Sequence, residues 1–284
     1  MLLDENLREA NISTAGRDEW NIIWKDAQFH VHQGILQDTD LTLPKGVIEI
    51  ASTAMVTTYS AGSHLVDKQS LNARIILLKD EKTSDIIYIS ISKTANPALE
   101  SQVPKLDLLS GIKNILFAGA TGSGKTHMLN QFLYHHLPKD ESYFLIEEFE
   151  EINLPEILHK VHRTIPFAEP GNFVDYGPYF LNEANTSRVS GVIYGECKTP
   201  SVAEGLIMAA NNGTSIYSTI HASNASGAIH KLASFIFPNM SQEERLKMVA
   251  KNIECVVYLK NHEISEIAFP TGNVVNSNVQ LKFA

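Results

Sequence analysis

The run Gly119-Ala120-Thr121-Gly122-Ser123-Gly124-Lys125-Thr126 fits G-x-x-x-x-G-K-S/T, the spacing of a phosphate-binding loop. The chemistry it serves is capture of a polyphosphate. Glycines let consecutive backbone N–H groups turn inward around phosphate oxygens. Lys125 would reach the β- and γ-phosphates of a nucleoside triphosphate such as ATP, and the Thr126 hydroxyl would bind Mg²⁺. His127 follows in the first turn of the next helix, whose positive end would face the anion. The flanks agree: the apolar run Ile115-Leu116-Phe117-Ala118 precedes the loop and a helical stretch, His127–Leu137, follows it.

Three further clusters close apolar stretches: Ile146-Glu147-Glu148-Phe149-Glu150-Glu151, Val192-Ile193-Tyr194-Gly195-Glu196 and Ser218-Thr219-Ile220-His221-Ala222. A carboxylate at a strand end beside Mg²⁺ and phosphate can hold the metal's water shell or orient the attacking water. Glu196 is the first candidate for metal and water positioning, and Glu147 is the candidate base. Glu148, Glu150 and Glu151 also read as a solvated acidic turn. His221 could sense a γ-phosphate by hydrogen bonding from the neighbouring strand end.

Strands and helices must bring these clusters together. After Leu106, strands are expected at Asn114–Ala118, Ser142–Ile146, Gly191–Tyr194, Ser215–Thr219, Cys255–Lys260 and Ile264–Phe269. Helices are expected at Lys125–Leu137, Ser201–Asn211, Ala225–Phe235 and Gln242–Asn252. Such alternation implies an α/β domain with a largely parallel sheet, helices on both faces and ligands at the carboxyl ends of the strands. The expected division is a smaller α+β domain over 1–96, a linker over 97–105 and the α/β domain over 106–284. In the first part, strands are read at Phe29–His32, Val47–Ile50, Arg74–Leu78 and Ile86–Ile91, a helix at Ile50–Ser60, and at most helix before Trp20.

Composition narrows the class. At 284 residues, 44% hydrophobic and 19% charged, the chain is globular, and its formal charge of −9 argues against direct nucleic-acid binding. No signal peptide and no apolar run near bilayer length is evident. The two cysteines, Cys197 and Cys255, have no metal-ligand spacing and read as reduced, buried thiols. Phe29-His30-Val31-His32 places two histidines on one strand face with no third ligand nearby, so a metal site is not expected there. His159/His162 and His135/His136 read as helix or loop ends. The aromatic stretch Phe173–Phe180 reads as a surface loop.

Taken in order, the four clusters resemble the secretion ATPase superfamily of type II and type IV secretion systems and type IV pili. Its phosphate loop, its I-E-D-x-x-E acidic box, its G-E strand end and its T-I/L-H box correspond to Gly119–Thr126, Ile146–Glu151, Gly195-Glu196 and Thr219-Ile220-His221. The similarity covers about residues 85–270. Within the superfamily the chain is most similar to the conjugation and type IV secretion branch. There Ile89-Ser90-Ile91-Ser92-Lys93 resembles an S-I-R-K segment, and Ile253–Leu259 resembles the final strand. The resemblance implies a RecA-like P-loop ATPase working as a hexameric ring. Such rings sit in the cytoplasm, peripheral to the inner membrane, with secretion or conjugation apparatus proteins as partners. It also implies that Glu151 closes the acidic box and that arginines of the N-terminal domain approach the γ-phosphate.

Departures from the pattern leave alternatives open: a type IV pilus assembly or retraction ATPase, or a low-turnover nucleotide-binding switch. Glu148 stands where the family has Asp. Arg188-Val189-Ser190 replaces R-P-D, Lys198 replaces an arginine, and Gly213-Thr214 replaces Gly-His. Ser92 stands in place of the S-I-R-K arginine. The chain has six arginines, and Arg74 is the only one between Trp20 and the phosphate loop. A planar guanidinium suits phosphate, so Arg74 is the expected phosphate contact, with Arg188 or Arg163 as further candidates.

Overall fold

The computed structural model describes residues 9–16, 19–25, 31–37, 56–66, 69–79, 86–93, 103–148, 151–155, 159–165 and 176–284. The chain divides into two compact units, Met1–Ala95 with Phe149–Glu151, and Asn96–Glu148 with Ile152–Ala284.

The first unit carries β1 (Glu9–Gly16), β2 (Glu19–Lys25), β3 (Val31–Gln37), β4 (Val56–Val66), β5 (Gln69–Lys79) and β6 (Ile86–Lys93). They form one antiparallel six-stranded sheet in the order β3-β2-β1-β6-β5-β4. The expected strands at Arg74–Leu78 and Ile86–Ile91 are present as β5 and β6. Three readings change. Residues 9–16 are a strand, because pairing with both β2 and β6 supplies what their polar composition lacks. Val56–Ser60 belong to β4 rather than to a helix. Arg74 lies inside β5 rather than opening it, because the polar residues from Gln69 onward already pair with β4. The expected strand at Val47–Ile50, residues Phe29 and His30, and Ile50–Met55 lie outside the described residues.

The second unit is the α/β fold expected from the sequence. Its strands are β7 (Ile115–Gly119), β8 (Ser142–Glu147), β9 (His159–Thr164), β10 (Gly191–Glu196), β11 (Ser215–His221), β12 (Cys255–Lys260), β13 (Glu263–Val275) and β14 (Asn278–Phe283). Its helices are α1 (Lys125–His136), α2 (Gly177–Thr186), α3 (Pro200–Asn211), α4 (Ala225–Phe235) and α5 (Gln242–Asn252). The eight strands run in the order β14-β13-β12-β7-β11-β10-β8-β9. From β12 to β9 every pairing is parallel, and β13 and β14 extend the edge antiparallel.

A sheet buried on both faces needs apolar residues at odd and even positions, and these strands supply them. Ile115, Phe117, Leu145, Ile193, Tyr217 and Val257 pack under α1 through Leu129, Phe132 and Leu133, with Leu106 and Leu109 of the 3-10 turn Pro104–Leu109 closing that side. The alternate residues Leu116, Ala118, Ile146, Val192, Ile216 and Val256 pack under α2 to α5. Helices therefore cover both faces. Cys197 and Cys255 are free and buried, and burial pushes each thiol up to about 12, so neither is a nucleophile.

Strands β9 and β14 and helix α2 depart from the sequence reading, which ends its last strand at Phe269. In His159–Thr164 only Val161 is apolar, and parallel pairing with β8 makes the strand. The Gly177-Pro178 pair starts a helix rather than continuing a loop, since proline is preorganised for the first helical turn. Residues 173–175 of that stretch lie outside the described residues.

Asn114 fixes the start of the loop-bearing strand. Its φ of 53° is left-handed, a region asparagine tolerates, and its Oδ1 accepts the Ile216 N–H at 3.0 Å. Its carbonyl accepts the Glu254 N–H at 3.1 Å. Asn114→Ala is expected to cost about 1–3 kcal/mol, because it orphans the Ile216 N–H and leaves Ala at positive φ. Thermal melting should show a drop of several degrees; an unchanged melting point would contradict this account of β7.

Candidate functional site

The loop between β7 and α1 leaves a fully buried strand and enters a helix that has no side-chain cap and no acidic residue in its first turn. An uncapped helix start of this kind suits an anion. Two glycines are required by geometry. Gly124 has φ 90° at the helix N-cap. At Gly119 an added Cβ would lie 2.3 Å from Ser123 Oγ and 2.7 Å from the Leu259 carbonyl oxygen. Ala120, Thr121 and Gly122 are exposed, while Thr126 and His127 are half-buried. Ser123 is buried, its N–H donates to the Ala120 carbonyl at 3.2 Å, and its Oγ has no hydrogen-bond partner among the described residues.

Lys125 is 7% exposed and points its ammonium at two acceptors. It donates to the Ala120 carbonyl at 2.8 Å and lies 3.2 Å from His221 Nδ1. An ammonium has only donors, so Nδ1 accepts and the imidazole proton sits on Nε2. That atom lies 2.7 Å from Glu196 Oε1. Lys125, His221 and Glu196 thus form one polar chain across the ends of β7, β11 and β10.

A β-bulge aims Glu196. The β10–β11 register slips between Tyr194 and Glu196, leaving Gly195 extra. Thr219 holds the bulge from both sides: its Oγ1 donates to the Gly195 carbonyl at 2.7 Å and its carbonyl accepts the Cys197 N–H at 2.8 Å. Gly195 also leaves room for Glu147, whose Cβ would stand 3.2 Å from an added Cβ.

The electrostatics match the neutral-imidazole assignment. Burial lowers the Lys125 pKa; Glu196 opposes this and Lys231 of α4 adds to it. Burial also lowers the His221 pKa, followed by the Lys125 charge, with Glu196 pulling the other way. His221 is therefore neutral at physiological pH. Lys231 faces this cluster and was not singled out in the sequence, where nothing distinguishes it from other helix lysines.

Glu147 belongs to a separate group. It is 3% exposed, its Oε2 accepts the Ile152 N–H at 3.0 Å, and its Oε1 lies 2.9 Å from His162 Nε2 without the in-line geometry of a hydrogen bond. To act as a base it would first have to release these partners. Glu148 pairs with Lys198 at 2.5 Å, two positions at which the superfamily pattern differs. Glu151 is half-buried at the end of the acidic run, and Glu150 lies outside the described residues. Arg163 is committed to Glu183 through a two-pronged pair at 2.6 and 3.2 Å. Arg188 is exposed, with φ 52°. Arg74 sits on β5 with Ser92 as its register partner on β6 and Ser60 on β4, so it stands directly across from the position where the superfamily pattern has its arginine.

No group of three or more His, Cys, Asp or Glu residues among those described could hold a metal alone. The donors present, the Thr126 hydroxyl and one carboxylate of Glu196, fit instead a hard cation that keeps its waters and binds through substrate phosphates, as Mg²⁺ does.

The family model described as "Type II/IV secretion system protein" matches residues 69–259. The chain belongs to that family. Solved structures of similar fold include the VirB11 ATPase of the Brucella suis type IV secretion system in complex with sulphate, at 16% identity and TM-score 0.50, covering 94% of this chain and 90% of that one. The Legionella pneumophila ATPase DotB is similar at 16% identity and TM-score 0.58, covering 99% and 77%. The pilus retraction motor PilT with bound ADP is similar at 13% identity and TM-score 0.62, covering 99% and 79%. No curated protein matches. At these identities the likeness establishes a RecA-like fold shared with secretion and pilus ATPases. Among the described residues of this type II/IV secretion family member, no helix is long and apolar enough to cross a membrane.

Proposed function

We propose that this secretion-family protein is an ATP-hydrolysing motor of a type IV secretion or conjugation apparatus, working as a hexameric ring at the cytoplasmic face of the inner membrane. The observation that carries the enzymatic part is the Lys125–His221–Glu196 chain at the mouth of the phosphate loop. ATP phosphates would replace the Ala120 carbonyl and His221 as partners of Lys125. The amides of Gly119–Thr126 and His127 would wrap them. Mg²⁺, held by Thr126 with Glu196 behind its water shell, would neutralise phosphate charge when bound. Glu196 orients the attacking water and His221 reports the terminal phosphate to it. Glu147 joins only once its present partners are released, and Glu151 closes the same acidic run. Arg74 is the proposed arginine of the N-terminal unit, with Arg188 the other candidate. Loss of the terminal phosphate would drive the domain motion the apparatus uses.

Steady-state phosphate release tests this reading. A motor should turn over repeatedly, above about one event per minute, whereas a nucleotide switch falls below that rate. Arg74→Ala should cut turnover at least tenfold by analogy with other phosphate-stabilising arginines; unchanged turnover would remove Arg74 from the site. Native mass spectrometry with ATP should show six-subunit rings, and monomers alone would contradict the ring. A pilus ATPase is the rival within the fold, and complementation of a secretion-defective against a pilus-defective strain separates the two.

A further inference from the structure

The turn joining β12 to β13 reaches the phosphate loop from the side opposite His221. Lys260 pairs with Glu263, so Asn261 and His262 form a two-residue turn, and both have positive φ, 52° and 64°. This is the geometry of a type I′ hairpin, in which asparagine is common at the first position and glycine is preferred at the second. Here the second position holds a histidine. The His262 N–H donates to the Ser123 carbonyl at 3.2 Å. Its imidazole Nδ1 lies 3.0 Å, and its Cβ 3.7 Å, from where a Cβ on Gly124 would stand. The ring therefore rests against Gly124, the N-cap of α1, where an added Cβ would crowd it.

The register gives the site a direction. Gly119 pairs with His221 of β11 on one side and with Leu259 of β12 on the other. Lys125 leans toward His221, and Glu196 lies beyond it. The terminal phosphate therefore belongs on the β11 side. A triphosphate threaded through the loop then runs its nucleoside end toward β12, where His262 is the side chain in place.

We propose that His262 is the nucleoside clamp of this site, its imidazole stacking on the base of the bound nucleotide while its backbone ties the turn to Ser123. The assignment rests on the nucleotide-binding reading above. A base–aromatic stack is expected to contribute about tenfold in affinity.

Calorimetric titration of the full chain with ADP and with inorganic tripolyphosphate, which has no nucleoside, tests it. His262→Ala should weaken ADP about tenfold and leave tripolyphosphate within about twofold, and His262→Phe should restore ADP binding. In the wild-type protein, the His262 ring protons should shift on adding ADP and stay in place with tripolyphosphate. Equal weakening of both ligands would make the turn a mere prop for the loop and overturn the clamp. Unchanged ADP affinity in His262→Ala would overturn it too. A wild-type protein that binds neither ligand would instead sink the nucleotide reading itself.

Discussion

Lys125→Ala is expected to lower ATP turnover by about 10²–10³-fold, the loss seen when one donor to developing charge is removed. The same substitution should leave the fold intact. Lys125 is buried and its charge is desolvated, so folding loses an unfavourable burial along with two hydrogen-bonding contacts at the loop. The melting point should therefore move little while activity collapses. A second readout is independent of turnover. The Lys125 charge depresses the His221 pKa, so its removal should raise the His221 titration midpoint measured by NMR. A His221 midpoint that stays put would mean the two side chains do not face each other in solution.

Glu196→Gln should reduce turnover by about 10²–10⁴-fold, the range for loss of a positioned acid–base group. Its effect on His221 runs the other way. Glu196 raises the His221 pKa against burial and Lys125, so the neutral amide should push the midpoint further down. The direction also sets the pH profile of the wild-type enzyme. Below its own pKa, His221 gains a second N–H and can no longer accept from Lys125, so kcat/KM should fall on the acid side. Because that pKa is depressed, the fall should come below the ordinary histidine value of about 6.5. An acid limb centred above that value would contradict the neutral-imidazole assignment. Glu147→Gln should do less to His221, because the Glu147 carboxylate is occupied by Ile152 and His162.

Much of the second unit could be read in advance because each of its elements states its own case. The strand–loop–helix around Gly119–Thr126 and the apolar runs ending at Glu147, Glu196 and His221 are local signals. Strands β1, β9 and β14 were missed because their sequences, half or more polar, become strands only through neighbours on a sheet. Helix α2 was missed because Gly177-Pro178 marks a turn as readily as a helix start. At the site, residue types gave Lys125, His221 and Glu196 but not their connection, which depends on the Gly195 bulge and on Thr219. His262 carries no motif at all; a long-range hairpin brings it back onto Gly124. The divergence at Glu148 and Lys198 also gains a physical reading, since the two side chains pair with each other. The opposed positions of Arg74 and Ser92 would let a single arginine serve from the neighbouring strand.

The most direct test of the central claim is a crystal structure of the chain soaked with Mg²⁺ and a non-hydrolysable ATP analogue. The account predicts the polyphosphate inside the Gly119–Thr126 loop, the Lys125 ammonium moved from the Ala120 carbonyl onto phosphate oxygen, and Glu196 with His221 at the terminal group. An empty loop at saturating analogue, or a terminal phosphate turned toward β12 and away from His221, would contradict it.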